Sequence, residues 1–194
     1  MLTELEAAPS GPASVEAFAE HLRLSTGLAA LQPSETAALD GILRAAGAAV
    51  ESMTGRALIR RRFKWTVERW RDPCREVLPI APVEQINAVT MVKADGSWSA
   101  IDPSAWRLVK SQFDPALAPA RGGWLPQIPT GGMAEIEMVA GHAVDPAGVP
   151  DDLRQAVLLL AAHYHEQRHV SAAPMADIPY GVGALIARWR KVRL

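Results

Sequence analysis

The chain of 194 residues holds one cysteine, almost no net charge and no long apolar run. Cys74 can form no disulfide within the chain, and a cysteine-based zinc cluster would need ligands that the sequence lacks. Lys and Arg total 20 and Asp and Glu total 21, a formal net charge of −1. That balance excludes a globally basic nucleic-acid coat and an acidic solvating tail. The longest apolar stretch, Ala156 to Ala162, falls far short of the roughly 20 residues a membrane span needs. The opening MLTELEAAPSGPASVEAF has early acids and no apolar core, so no signal peptide is expected there. A Walker-type phosphate loop, a strand-linked G-x-G-x-x-G, a nucleophile elbow and an internal repeat are all missing from the sequence. These absences place the protein in the cytosol, or in something assembled there.

What is present is ordinary globular chemistry. Hydrophobic residues make up 49% and charged residues 21%, which argues against disorder of the whole chain. The length suits one domain with a real core.

Residues 1–13 hold Pro9, Gly11 and Pro12 without periodicity and read as a flexible lead-in. Ser14 is a candidate cap for a helix over about 14–24, with Glu16 in its first turn. Ser25 to Pro33 reads as a connector. A second helix spans about 34–54, capped by Ser34, with Leu39, Ile42, Leu43, Ala46, Val50 and Met53 on one face and Gly55 as its stop. Gly41 and Gly47 weaken it, which close packing against a neighbour would explain.

The period then changes to two: Ile59, Arg61, Phe63, Trp65 and Val67 alternate with Arg60, Arg62, Lys64, Thr66 and Glu68. A β region over about 57–140 follows. Val77–Ile80, Ile86–Lys93, Trp98–Ile101, Trp106–Val109 and Ala134–Ala140 are the strand candidates, and Asp95-Gly96 is a hairpin turn. Ser111 to Met133, with four prolines and two Gly-Gly pairs, reads as a long loop. Pro150, Asp151 and Asp152 open a third helix over about 150–169, apolar on more than one side. A short helix over Val182–Trp189 and a basic tail close the chain. The fold class is therefore mainly α with a small antiparallel β insertion, an α+β arrangement of helix, helix, strands, helix and C-terminal tail.

Three constellations carry candidate chemistry. His165-Glu166-Gln167-Arg168-His169 fits H-E-x-x-H: on a helix, residues four apart share a face, so two imidazoles would grip zinc and Glu166 would act as base. The extended form fails, because Ala172 and Met175 stand where Gly and His are needed. The only later carboxylate side chain is Asp177, which makes it the one available third ligand. Otherwise the segment reads as a helix C-terminus where His and Arg favour the dipole. His163 lies two residues from His165 and faces another way. His21 and His142 stand alone and read as structural or surface residues.

Arg60, Arg62 and Lys64 share a strand face within the densest basic run, which Arg56 and Arg61 complete. That face would contact nucleic acid or an acidic partner; residues 1–53 carry seven acids against two Lys and Arg, so a match within or between subunits is available. The tail interleaves Arg188, Arg190, Lys191 and Arg193 with Trp189, Val192 and Leu194, and Trp and Arg are the residues that anchor interfaces.

The ordered set of segments resembles the head–tail connector (adaptor) proteins of long-tailed bacteriophages and gene transfer agents, from about Val15 to Leu194. Val50 to Ile59 looks like the family's second helix and its exit. Met138 to His142 and Val149 to Glu166 look like its last strand and third helix, with His142 standing where an aromatic is expected. Pro179 to Ile186 and the Arg-rich end look like its C-terminal segment.

The resemblance implies a core over 14–179 and a docking segment over 180–194. It implies a homo-oligomeric ring of about twelve copies at the head–tail interface of a virion or phage-like particle. The ring would bind the portal protein on one side and a stopper or tail-completion protein on the other. It would pass DNA without reading its sequence, and would need no membrane, cofactor or enzymatic activity. Portal docking would fall to Tyr180, Leu185, Ile186, Arg188, Trp189, Arg190, Lys191, Val192, Arg193 and Leu194. The alternative is a small zinc metallopeptidase built on His165, His169 and Asp177, with Glu166 as base.

Overall fold

The chain alternates between two units: a β unit of Met1–Ala8 and Arg60–Gly141, and a helical unit of Pro9–Ile59 and His142–Leu194. The computed structural model describes residues 1–22, 33–167 and 178–191. The class is α+β with antiparallel sheets, as the periodicities predict.

The β unit contains β1 (Leu2–Glu4), β2 (Arg61–Val67), β3 (Glu76–Val77), β4 (Val83–Val92), β5 (Trp98–Ala100), β6 (Trp106–Val109), β7 (Ala116–Pro119) and β8 (Met133–Ala140). One antiparallel sheet runs β1-β2-β8-β4-β5 and a second runs β3-β7-β6. Alternation decides which side chains are buried. Arg61, Phe63 and Trp65 of β2 and Ala134, Ile136, Met138 and Ala140 of β8 are buried, while Arg62 is exposed and Lys64, Glu135 and Glu137 are half-buried. In β4 the buried residues are Val83, Ile86, Val89 and Met91, a period broken where the register shifts at Val83/Gln85 and Ile86/Ala88. Asp95-Gly96 closes the β4–β5 hairpin: Gly96 has φ +83°, and Asp95 Oδ1 accepts the Ser97 N–H at 2.8 Å.

Two expectations change here. Residues 2–4, read as part of a flexible lead-in, form β1 on the edge of β2. The outer backbone of β2 supplies the partner, with the Leu5 N–H donating to Arg62 O and the Thr66 N–H to Met1 O. The span 111–133, read as loop, contains β7, the middle strand of its sheet. All four β7 residues are buried, so no alternation marks the strand in the sequence. Glu76 beside it is also buried, and its carboxylate accepts the Arg71 and Asp72 N–H groups at 2.6 and 3.1 Å.

The helical unit contains α1 (Val15–His21), α2 (Pro33–Thr54), α3 (Asp151–Gln167) and α4 (Tyr180–Ile186). Ser14 caps α1 by accepting the Ala17 N–H at 3.1 Å. Ser34 lies inside α2, whose first residue is Pro33, as suits a residue without an N–H at a helix start. Gly55, at φ +68°, ends α2 as expected. Gly47 is where Pro12 packs: a Cβ there would stand 2.6 Å from Pro12 Cγ. Gly41 meets nothing within 4 Å, so close packing does not account for it. Helix α3 is central. It contacts α1, α2 and α4 and buries Leu153, Ala156, Val157, Leu158, Leu160 and Ala161. Each buried leucine contributes about 2 kcal/mol. The final helix starts at Tyr180, two residues earlier than its periodicity predicts, and buries Val182 and Ile186.

Candidate functional site

The residues of the predicted docking segment have different environments. Tyr180 is 91% exposed, Leu185 and Gly183 are half-buried, and Arg188, Arg190 and Lys191 are exposed. Ile186 and Trp189 are buried, at 0% and 7%. These two therefore pack inside their own unit rather than face a partner; an interleaved apolar pattern does not distinguish the two uses. Val192, Arg193 and Leu194 lie outside the described residues.

Trp189 is fixed from several sides. Its indole Nε1 donates to Asp152 Oδ2 at 2.7 Å, in the first turn of α3. Arg56 Nε donates to its carbonyl at 3.2 Å, and the guanidinium lies 4.7 Å from the centre of its ring. The Arg188 guanidinium lies 4.8 Å from the same ring, and Arg188 Nε pairs with Asp152 Oδ2 at 2.6 Å. The His142 ring meets the indole edge-on, with centres 5.3 Å apart. Arg56 reaches this position because the exit of α2 runs beside residues 142–143: the His142 and Ala143 N–H groups donate to Ala57 O and Leu58 O. Glu51 Oε1 secures the same exit by accepting the Leu58 N–H at 2.6 Å.

The electrostatics follow from burial. Burial, then the nearby Arg56 charge, push His142 down from 6.5 to about 4, so its ring is neutral near pH 7. Arg56 Nη1 stands 3.5 Å from His142 Nε2, which accepts only in the neutral tautomer protonated at Nδ1. Burial also works against the Asp152 charge. Bonds from Trp189, Arg188 and the Leu153 N–H outweigh it and hold the carboxyl below its ordinary value. Burial lowers Arg56 as well, yet a guanidinium stays charged. In the sequence His142 stands alone and Arg56 is one member of a basic run. Their meeting depends on a contact across 86 residues of chain that no spacing reveals.

The β2 face is a ladder of opposite charges. Arg62 pairs with Glu6 at 3.0 Å and with Glu137 at 3.3 Å, and Lys64 pairs with Glu135 at 3.0 Å. Buried Arg61 pairs with Glu4 at 2.6 Å. The acids of the N-terminal segment and of β8 thus supply the match that the composition offers. Arg60 is half-buried, and its charge helps hold Glu84 below its ordinary value, after the larger effect of Lys110.

The H-E-x-x-H segment is only partly described. His165 meets Phe18 edge-on at 6.4 Å and Glu166 is exposed; His169 and Asp177 lie outside the described residues. Among the described residues no group of three His, Cys, Asp or Glu side chains is placed to hold a metal, and no helix is long and apolar enough to cross a membrane.

No family model matches the sequence, and no curated protein matches it. Solved structures do. A chain in the neck of an empty gene transfer agent particle, computed with C6 symmetry, is 45% identical over 100% of this chain and 97% of that one, with a TM-score of 0.87. A chain in the virion of a native gene transfer agent particle is 46% identical over the same shares, with a TM-score of 0.86. A chain in the neck of a native particle, computed with C12 symmetry, is 42% identical, again over 100% and 97%, with a TM-score of 0.83. Identity at this level over the full length makes the chain a member of the family of gene transfer agent neck proteins.

Proposed function

We propose that the protein is the head–tail connector of a gene transfer agent or a related phage-like particle. In this reading about twelve copies close into a ring through one repeated head-to-tail interface. The ring sits under the portal, extends the DNA channel and offers the tail side a surface for a stopper or tail-completion protein. The role is structural and not enzymatic, as befits a neck component. The observation that carries the reading is full-length identity of 42–46% to chains of necks and a virion, two of them computed with C6 and C12 symmetry.

The portal-facing element is the C-terminal segment. Tyr180, Leu185, Arg188, Arg190 and Lys191 form its outward part, and Val192, Arg193 and Leu194 are proposed to share the docking role. Trp189 and Ile186 hold it from beneath. The face of Arg60, Arg62 and Lys64 is assigned to the channel side. Its paired charges suit a wall that DNA slides past, since bare cations would hold phosphates.

Native mass spectrometry of the protein, alone and mixed with the portal protein of the same particle, tests the reading. A metal-free chain that joins the portal in a large, ring-sized complex supports it. A small species with one zinc per chain, lost on His165→Ala, overturns it in favour of a peptidase.

A further inference from the structure

The C-terminal segment is held in a way that leaves specific groups for a partner. Residues 178–191 contain Arg188, Arg190 and Lys191 and no Asp or Glu. The Arg188 side chain is 70% exposed. Asp152 occupies its Nε, Trp189 backs its plane, and its Nη hydrogens have no partner among the described residues. Arg190 is exposed and likewise makes no side-chain bond among those residues. A guanidinium fixed at one edge and stacked on a ring has already lost most of its rotamer freedom, so a bidentate bond to a carboxylate costs little further ordering. Tyr180, at the start of the same segment, is 91% exposed and offers an apolar surface with a hydroxyl at its rim.

We propose that Arg188, its guanidinium preset, binds a carboxylate on the portal, whose contacting face is acidic, and that the exposed Arg190 beside it in sequence completes a two-arginine fork. Asp152 and Trp189 act as positioning residues for Arg188. This rests on the docking role proposed above. A protein carboxylate fits better than a DNA phosphate, because the same short segment also carries exposed Tyr180 and half-buried Leu185, and a phosphate backbone makes no use of them.

The test measures association of the full-length protein with isolated portal rings of the same particle at several salt concentrations. The variants are Arg188→Gln, Arg190→Gln, Arg188→Lys and a deletion of residues 188–194. Arg188→Gln and Arg190→Gln should each slow association about fivefold or more at low salt and flatten its salt dependence. Arg188→Lys keeps the charge but loses the planar fork, so it should recover the on-rate while dissociating several-fold faster. A merely structural role would leave the salt slope unchanged. If the deleted protein keeps the circular dichroism of the parent but loses binding, while both Gln variants bind as the parent does, the fork is wrong and the docking role stands. Should the deleted protein bind normally, the docking role fails and the fork with it. Loss of duplex DNA binding by the Gln variants, with portal binding intact, would overturn the assignment in favour of phosphate.

Discussion

The indole Nε1 of Trp189 donates to Oδ2 of Asp152 at 2.7 Å, tying the end of the described C-terminal segment to the first turn of α3. Both groups are shielded: Trp189 is 7% exposed, and the Asp152 side chain is 18% exposed. Trp189→Phe keeps a ring beside the two guanidiniums but leaves the carboxylate one donor short. The expected cost is about 1.5–3 kcal/mol, the range for a bond to a charged group. Trp189→Ala also removes the packed ring and should cost about 3–5 kcal/mol. Urea unfolding of each variant checks this. In a double-mutant cycle, Trp189→Phe with Asp152→Asn should cost less than the sum of the two single changes. Full additivity would show that the bond contributes nothing.

Two glycines of α2 should respond in opposite directions to the same substitution. Gly47→Ala places a methyl 2.6 Å from Pro12 Cγ at a buried site, where neither a helix nor a proline ring yields easily. Overpacking of this kind costs about 1–3 kcal/mol. Gly41 is exposed with nothing within 4 Å of a Cβ, so Gly41→Ala should stabilise by about 0.5–1 kcal/mol through helix propensity alone. Thermal unfolding should move the two melting temperatures apart. Equal shifts would remove the packing argument for Gly47.

The long amphipathic elements were legible because their side chains repeat with the backbone period. The faces of α2 and α3 and the alternation of β2 and β8 follow from the sequence alone. What escaped reading has a common cause, in that its determinants lie far along the chain. β1 exists because β2 offers an edge about sixty residues later. β7 is buried at every position and flanked by Pro115, so it shows neither alternation nor strand composition. Arg56 looks like one more cation in a basic run, yet it is 1% exposed beneath Trp189. The C-terminal segment shows the same limit. Its composition reveals an anchor pattern, while only the fold separates Ile186 and Trp189, which hold the segment, from Arg188 and Arg190, which extend from it.

The charge ladder on β2 should matter little for stability. Arg62 with Glu6 and Glu137, and Lys64 with Glu135, are solvent-accessible pairs, and such pairs contribute about 0–1 kcal/mol each. Lys64→Met should therefore leave the unfolding midpoint nearly unchanged. Reversing Arg60, Arg62 and Lys64 together to Glu brings like charges against Glu6, Glu135 and Glu137 and turns the face strongly acidic. Particles carrying that triple variant should assemble and lose DNA delivery. Unchanged delivery would show that the face does not line the channel.

Acid should act on the Trp189 cluster in two separate windows. His142 has a folded value of about 4 against an ordinary 6.5, because burial and Arg56 disfavour its charged form. Above 6.5 it is neutral whether folded or not, and it adds no pH dependence. As pH falls from 6.5 to about 4, the unfolded chain takes up a proton that the folded chain refuses, so stability declines, and below about 4 this loss levels off. Asp152 acts in the same direction in a lower window, since its folded value lies beneath the ordinary 3.8. Its contribution is present above that value and disappears as pH drops below it. His142→Phe keeps an aromatic edge against Trp189 and removes the titration. The difference in unfolding free energy between parent and variant should change steadily between pH 6.5 and about 4 and stay flat at higher pH. A difference constant across that interval would mean that His142 is not held neutral beside Arg56. Asp152→Asn should remove the lower window and, because the Asp152 charge favours the protonated His142 ring, also extend the upper one to lower pH; an unchanged upper window would show that the carboxylate does not act on the imidazole.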